Sequence, residues 1–335
     1  LDHPEDAGRP LAIGGQPEQR GVVASASYEA RKMGVRSAMP MSTAVRLCRD
    51  LKIAPASWER IRECYRQVMS ILDDFGDVEQ MSVDEAYVDL SEWDNPQEKA
   101  AEIRTAVKAN TQLPCSVGLA SSKLVAKVAS DHDKPEGFTI VLPGNEAAFL
   151  APLPTRVIWG IGPRTAEKLA NLNIHTCEQL ALADLGLLQG AFGSQAASLK
   201  ERARGVDGRS VKPDRGLAKS ISQEWTFSQD VDDPERLRSQ LHKMAGRVAQ
   251  SLQKRQLVAH TVTVKFRWAD FTTFTRQRSL EVGIDDADTI IAVAEAIWEE
   301  HWPPGQKMRL LGVGVSKIEA PQVRQLGFNF LDATS

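Results

Sequence analysis

Val78-Glu-Gln-Met-Ser-Val-Asp84-Glu85-Ala-Tyr-Val-Asp-Leu90 sets two short apolar runs around an adjacent pair of acids. Val, Met, Tyr and Leu at this density favour strand over helix, so the stretch is predicted as a hairpin interrupted by its acids. Adjacent acids are ordinary on a solvated surface. Six such pairs occur: Glu5-Asp6, Asp73-Asp74, Asp84-Glu85, Asp232-Asp233, Asp285-Asp286 and Glu299-Glu300. Five lie in polar or helix-like surroundings, where a solvated face explains them. Only Asp84-Glu85 breaks a hairpin expected to be buried. Ionised carboxylates there need a compensating charge. The stretch itself holds no Lys or Arg, so a divalent cation is the compensation it suggests.

The chain has 335 residues, 42% of them hydrophobic and 25% charged. That balance is ordinary for a globular protein, and the length allows about two to four domains. Cys48, Cys64, Cys115 and Cys177 are far apart with no CxxC spacing. They suggest neither a zinc site nor a disulfide framework, and a reducing cytoplasm is the simplest setting. No apolar run reaches the roughly 18 residues of a membrane span, and no signal peptide is apparent. The net charge of -3 is uneven. Residues 1–151 hold 17 basic and 23 acidic side chains, residues 152–216 hold 9 basic and 6 acidic, and residues 217–320 hold 14 of each. An acidic first part beside a basic second part fits metal chemistry next to a phosphate-binding module.

Leu11–Gly15 and Gly21–Ala26 read as short strands, the second lined with small residues. Ser27–Gly34 reads as a short helix closed by glycine. Tyr28 and Arg31 share one face of it, i to i+3. A phenol and a guanidinium at a helix N-terminus suit a phosphate; a surface Arg stacked on a Tyr is the plainer alternative. Residues 41–49, 57–74 and 96–112 are predicted as amphipathic helices, with Ser42 and Ser57 as caps. Cys115–Ala120 is a strand, Ser121–Asp131 a helix, Lys134–Gly137 a tight turn and Phe138–Leu142 a strand. This alternation describes an α+β domain. Val157-Ile-Trp-Gly160-Ile161-Gly162-Pro163 precedes a helix, and a second helix starts near Glu178. Gly-Ile-Gly with Pro at the first helical position is a helix-hairpin-helix pattern, whose exposed amides can hold a DNA phosphate; an ordinary helix-helix turn is the plainer alternative. From residue 217 the order is β-α-β-β-α-β. In the strand from His260, Val262, Val264, Phe266 and Trp268 face one way, and Thr261, Thr263, Lys265 and Arg267 the other. Arg276 and Arg278 on the next strand are expected to join that polar face as a phosphate-tracking surface, with a plain solvated face as the alternative. The tail carries Gln325-Leu326-Gly-Phe328-Asn-Phe330, a glutamine and spaced apolar anchors that suit a partner's pocket; a disordered end is the default.

These segments together resemble a Y-family translesion DNA polymerase, its bacterial members in particular. The residues that carry the resemblance are GVVASASYEARKMGVRSAMP (21–40), MSVDEAYVDL (81–90), SVGLASSKLVAKVASDHDKPEG (116–137), WGIGPRTAEKL (159–169) and the terminal RQLGFNF. The resemblance implies an α+β multidomain chain of right-hand polymerase architecture. Fingers would span 1–55, palm 56–151, a helix-hairpin-helix thumb 152–216, a βαββαβ little finger 217–320, and a clamp-binding tail 321–335. It implies low-fidelity, template-directed addition of dNTPs to a primer 3'-hydroxyl during damage tolerance. Asp84 and Glu85 would be the catalytic metal ligands for two Mg2+ ions. Ser25, Tyr28, Arg31 and Lys134 would contact the nucleotide. Gly160, Ile161, Gly162, Lys265, Arg267, Arg276 and Arg278 would contact DNA. Gln325, Leu326, Phe328 and Phe330 would dock on a sliding clamp. The implied partners are primer-template DNA, dNTP and clamp, for a cytoplasmic monomer with no membrane association.

One departure qualifies the resemblance. Family members carry a further metal-binding Asp, then a bulky aromatic, on a first strand; Asp2 and Asp6 do not match it. A strand and helix of about 15–20 residues are therefore expected to be absent ahead of Leu1. The chain from Leu1 to Ser335 is then expected to bind DNA but polymerise poorly. A non-catalytic DNA- and clamp-binding module is the alternative reading, and a metal-dependent nuclease a weaker third.

Overall fold

The computed structural model describes residues 3–214 and 216–321. They fall into two compact units, one spanning Ser57–Arg215 and the other Asp2–Ala56 together with Gly216–Ser335. The units group the expected palm with the thumb, and the expected fingers with the little finger.

The first segment holds β1 (Leu11–Gly14), β2 (Val23–Ala26), α1 (Tyr28–Lys32), α2 (Met41–Leu47) and β3 (Lys52–Ala54). The strands pair in the order β2-β1-β3, antiparallel then parallel. Ala12, Ala26, Ala30 and Ala44 pack with Val23, Val35 and Met41 in its core. Side chains this small let backbones meet: a Cβ on Gly21 would lie 2.2 Å from the Gly15 carbonyl oxygen. Ser27 caps α1, its Oγ accepting from the Ala30 amide at 3.2 Å, and Gly34 just beyond has φ +92°. The expected caps differ. Pro40 occupies the N-cap of α2, which places Ser42 inside the helix. Ser57 stands at the N-cap of the next helix but makes no side-chain cap bond.

The unit from Ser57 contains α3 (Trp58–Asp73), β4 (Val78–Gln80), β5 (Ala86–Val88), α4 (Pro96–Thr111), β6 (Val117–Leu119), α5 (Lys123–His132), β7 (Phe138–Ile140) and α6 (Glu146–Leu150). There follow α7 (Pro163–Ala170), α8 (Cys177–Leu182), α9 (Leu185–Phe192) and α10 (Ala196–Ala203). β4 and β5 form the predicted antiparallel hairpin, Val78 opposite Val88 and Gln80 opposite Ala86. β6 and β7 form a separate parallel pair. One core lies under the hairpin, where Leu72, Leu90, Ile103 and Val107 meet. In the other, Leu124, Val125, Val128 and Ala129 of α5 pack with Ile158, Ile161, Leu169 and Leu180. A Cβ on Gly118 would sit 2.2 Å from the Ala126 carbonyl oxygen, so β6 lies hard against α5 only because that residue is glycine. The two helices expected after Pro163 and near Glu178 are α7 and α8, and Gly160 is preceded by a single 3-10 turn, Thr155–Val157.

The last segment runs β8 (Ser220–Val231), α11 (Pro234–Lys254), β9 (Val258–Trp268), β10 (Thr273–Ile284), α12 (Ala287–His301) and β11 (Met308–Glu319). This is the predicted β-α-β-β-α-β order. The sheet order is β10-β9-β11-β8, and every pair is antiparallel. Leu237, Leu241 and Val248 of α11 and Ile290 and Ile297 of α12 pack on Val262, Val264, Phe266 and Val313. Within the same unit, Arg20 Nη1 donates to Asp230 Oδ1 at 2.6 Å and to the Phe227 carbonyl at 3.1 Å.

A mostly buried ion pair secures the hairpin: Lys123 Nζ lies 2.6 Å from Glu79 Oε2, with 9% and 15% of the two side chains exposed. The Lys212 amide donates to the same oxygen at 2.7 Å. Asp207 Oδ2 accepts from the Leu124 amide at 3.1 Å and pairs with Arg209. Burial alone raises the Glu79 pKa; the hydrogen bonds from Lys123 and Lys212 and the charges of Lys123 and Arg209 outweigh it and hold it below 4.5. A carboxyl depressed on folding stabilises the fold above its unfolded pKa and loses that contribution as pH falls through the folded value. Glu79→Gln should therefore lower stability at neutral pH and flatten its fall below about pH 4.5. Lys123→Met, which leaves Glu79 unpaired, should cost about 3–5 kcal/mol. Urea titrations of both variants across pH 3–7 (a working range, about four units wide) check this; an acid limb identical to that of the parent would refute it.

Candidate active site

The hairpin holds its acids at the turn between β4 and β5. The Met81 and Ser82 amides both donate to the Glu85 carbonyl, at 2.8 and 3.2 Å, which closes the turn. Gln80 Nε2 donates to the Ser82 carbonyl at 3.0 Å. Asp84 is exposed, and its Oδ1 accepts from Ser82 Oγ at 2.5 Å. The hairpin is not buried as expected: its strands are half-buried, and Met81 and Val83 beside the acids are exposed. Two short strands with one face on a core leave the connecting turn in solvent.

A side-chain cation from outside the stretch also meets its acids. Lys127 Nζ of α5 lies 2.7 Å from Glu85 Oε1 and 2.8 Å from Asp131 Oδ2. Asp131 Oδ1 in turn lies 2.6 Å from Lys134 Nζ. Burial works against the Lys127 charge, but the bonds to Asp131 and Glu85 prevail and raise its pKa. Burial likewise works against ionised Asp131, whose pKa the two lysines hold below its ordinary value. The turn carrying Lys134 is pinned from α4: Arg104 Nη2 donates to the Glu136 carbonyl at 2.6 Å, and Lys108 pairs with Glu136 at 2.6 Å. Asp84, Glu85 and Lys134 thus belong to one unit. Lys127, Asp131, Ser82 and Arg104 were missed in the sequence. The spacing Lys123, Lys127, Asp131, every fourth residue of α5, was the available signal, because such residues share a helix face.

Ser25, Tyr28 and Arg31 belong to the other unit. Ser25 is exposed. The Arg31 guanidinium lies 5.6 Å from the Tyr28 ring centroid, and its Nε donates to the Ala26 carbonyl at 3.0 Å. The stacked pair is therefore present, with the terminal guanidinium nitrogens pointing to no protein acceptor among the described residues. A planar fork held on an aromatic ring is suited to a phosphate.

Gly160 has φ +93°, a left-handed conformation that favours glycine. Gly162 is the N-cap of α7, and a Cβ there would meet open space. Ile161 is 4% exposed and belongs to the core, so the motif can offer a ligand its amides but not that side chain. On the four-stranded sheet the expected cationic face is corrected. Residues opposite one another in an antiparallel pair point to the same side. Arg276 lies opposite Val264, and Arg278 opposite Val262, so both share the helix-covered face. Arg276 lies over Phe274 at 4.9 Å, and Arg278 pairs with Glu300 of α12 at 2.9 Å. The open face holds Lys265, paired with Glu224 at 2.8 Å, and Arg267, bonded to Thr273 at 2.8 Å. Around them stand Thr261, Thr263, Thr275, Gln277 and Ser279, with Gly312 and Gly314 of β11. Gln325, Leu326, Phe328 and Phe330 lie outside the described residues.

Asp84 and Glu85 supply carboxylate oxygens, the donors a hard divalent cation takes, and such an ion keeps water and phosphate oxygens for its remaining positions. Two side chains in that role fit. Among the described residues, the group of three acids or His near enough to share an ion is elsewhere, at His3, Glu5 and Asp6, where Asp6 already binds Lys52 through both oxygens. No helix of the described residues is long and apolar enough to cross a membrane.

Residues 1–131 match the impB/mucB/samB family, residues 218–328 its C-terminal domain, and residues 143–174 its HHH motif. The chain is 36% identical to DNA polymerase IV of Bacillus anthracis, over 95% of this chain and 79% of that one. It is 38% identical to DNA polymerase IV 2 of Agrobacterium fabrum, over 96% and 91%. Among solved structures, a Y-family DNA polymerase chimera of Dbh and Dpo4 aligns with TM-score 0.82 at 23% identity, over 95% of this chain and 94% of that one. DinB from Sulfolobus solfataricus aligns with TM-score 0.63 at 25% identity, over 93% of each.

Proposed function

The chain belongs to the impB/mucB/samB family, the Y-family translesion DNA polymerases close to DNA polymerase IV, and from that premise we propose that Asp84 and Glu85 are its catalytic metal ligands. It is a DNA-directed DNA polymerase of the translesion type, a nucleotidyltransferase that binds DNA and dNTP and uses a divalent metal. A non-catalytic module is not favoured, because the matched relatives are polymerases. The observation that carries the assignment is Asp84 at the exposed turn of a closed hairpin, fixed by Ser82 and without an ion-pair partner among the described residues.

In this reading the ions are two Mg2+. Asp84 and Glu85 would hold them, and their charge would serve to lower the pKa of the primer 3'-hydroxyl and to neutralise the leaving pyrophosphate. Ser82 orients the Asp84 carboxylate. Lys134, on its pinned turn, holds phosphate oxygens as a point charge, and Arg31 offers its fork with Tyr28 as the platform and Ser25 assisting. Small residues across 21–40 leave room for damaged or mispaired bases, which accounts for lesion bypass. Primer extension by the full-length protein tests the assignment. Asp84→Asn should slow it at least about 100- to 1,000-fold with primer-template affinity unchanged. Extension at the parent rate would place the metal elsewhere.

The amides at Gly160 and Gly162 and the open face with Lys265 and Arg267 grip the DNA backbone in this reading. The slope of log affinity against log salt should fall by about 1 for each of Lys265→Ala and Arg267→Ala. Arg278→Ala, on the other face, should leave it unchanged; a loss equal to that of Lys265→Ala would show that both faces meet DNA.

Gln325–Phe330 is the clamp-docking peptide of the proposal. Deleting 321–335 should spare distributive synthesis and remove stimulation by a sliding clamp. Clamp binding that survives the deletion would refute the assignment.

A further inference from the structure

Glu85, Lys127, Asp131 and Lys134 form an unbroken chain of alternating charge with contacts of 2.7, 2.8 and 2.6 Å. It joins three elements of one unit: the hairpin turn, α5 and the turn before β7. Its two ends are the proposed metal ligand and the proposed triphosphate lysine. The side chains are between 22% and 47% exposed. Pairs this wet contribute little to stability, so holding the fold is a poor account of them.

The bonding is shared. Asp131 gives one oxygen to each lysine, and Lys127 divides its ammonium between two carboxylates. We propose that Lys127 and Asp131 are positioning residues that couple the two ends, so that a cation at Asp84–Glu85 and a triphosphate at Lys134 each favour the binding of the other. The inference rests on the metal and triphosphate assignments made above.

The coupling follows from charge. The four groups sum to zero, and Asp84 adds one negative charge. A divalent cation on Asp84 and Glu85 repels Lys127 from Glu85 and leaves it to Asp131. Asp131, better neutralised, then holds Lys134 less firmly, and Lys134 can turn to a phosphate. In the other direction, a triphosphate that draws Lys134 away gives Asp131 wholly to Lys127. That loosens the grip of Lys127 on the Glu85 oxygen a metal needs. Linkage makes the two effects equal in free energy.

The chain makes opposite predictions for two variants, read as binding without turnover. The full-length protein is bound to primer-template with a dideoxy-terminated primer. Mn2+ affinity is measured by electron paramagnetic resonance without nucleotide, and dNTP affinity by fluorescence in EDTA. Asp131→Asn releases Lys134 and gives Lys127 wholly to Glu85. It should bind metal-free dNTP about fivefold more tightly and nucleotide-free Mn2+ more weakly. Lys127→Met removes the competitor at Glu85 and leaves Lys134 the sole partner of Asp131. It should bind nucleotide-free Mn2+ about fivefold more tightly and metal-free dNTP more weakly. Lys127→Gln, which retains a hydrogen bond to Asp131 without the charge, should show the same directions if the Met variant folds poorly. Losses of both ligands in both variants, or no change in either, would overturn the coupling. Asp84→Asn and Lys134→Ala separate the premises: if they leave Mn2+ and dNTP affinity intact, the site assignments fail rather than the coupling between them.

Discussion

A carboxylate that loses water against a protein core needs hydrogen bonds or a facing charge to remain ionised, and Glu79 of β4 meets that requirement through α5. α5 supplies the charge. Its apolar side, Leu124, Val125, Val128 and Ala129, is buried against Ile158, Ile161 and Leu169. Its polar side carries Lys123 to Glu79, Lys127 to Glu85, and Asp131 to Lys134. Residues four apart share a helix face, so one short helix reaches both strand and turn of the hairpin. Its first turn also receives Asp207, through the Leu124 amide. The segment that leaves α10 is thereby tied to the helix that faces the acids.

The contacts differ in kind along that face. Lys123 and Glu79 are mostly buried, and a buried pair is costly to break because the survivor keeps its desolvated charge. The pairs toward Lys134 are wetter, and solvent screens them. The hairpin is thus anchored firmly at β4 and more loosely at the turn that carries Asp84 and Glu85. Loose, shared ion pairs can be rearranged by a ligand at little cost, which a buried pair cannot.

The four-stranded sheet shows how register decides a surface. Phe274 stacks on Phe266 with centroids 5.0 Å apart. That contact puts alternate residues of β10, including Arg276 and Arg278, on the helix side. The open face is paved with Thr, Ser, Gln and Gly, with Lys265 and Arg267 among them. The charges expected there are thus fewer than the sequence pattern suggested, because register turns two of the four to the other face.

Local chemistry was sufficient for much of this. Two short runs dense in Val, Met, Tyr and Leu around the acids of 78–90 marked a hairpin, because such residues favour strand over helix. Gly-Ile-Gly-Pro marked a hairpin before a helix, because glycine reaches left-handed φ and proline suits the first helical turn. Strand and helix periods gave the β-α-β-β-α-β order, and the adjacency of Asp84 and Glu85 marked the acids. Long-range pairing had no local signature. Nothing within 78–90 shows that Lys127, some forty residues on, faces Glu85, or that the hairpin is half-exposed. Nothing within β10 shows that Arg278 lies opposite Val262. A period of two says that neighbours alternate but not which face is buried; a one-residue shift against the partner strand reverses the answer. Burial, charge partners and strand register are properties of what the chain meets, and those the tertiary structure decided.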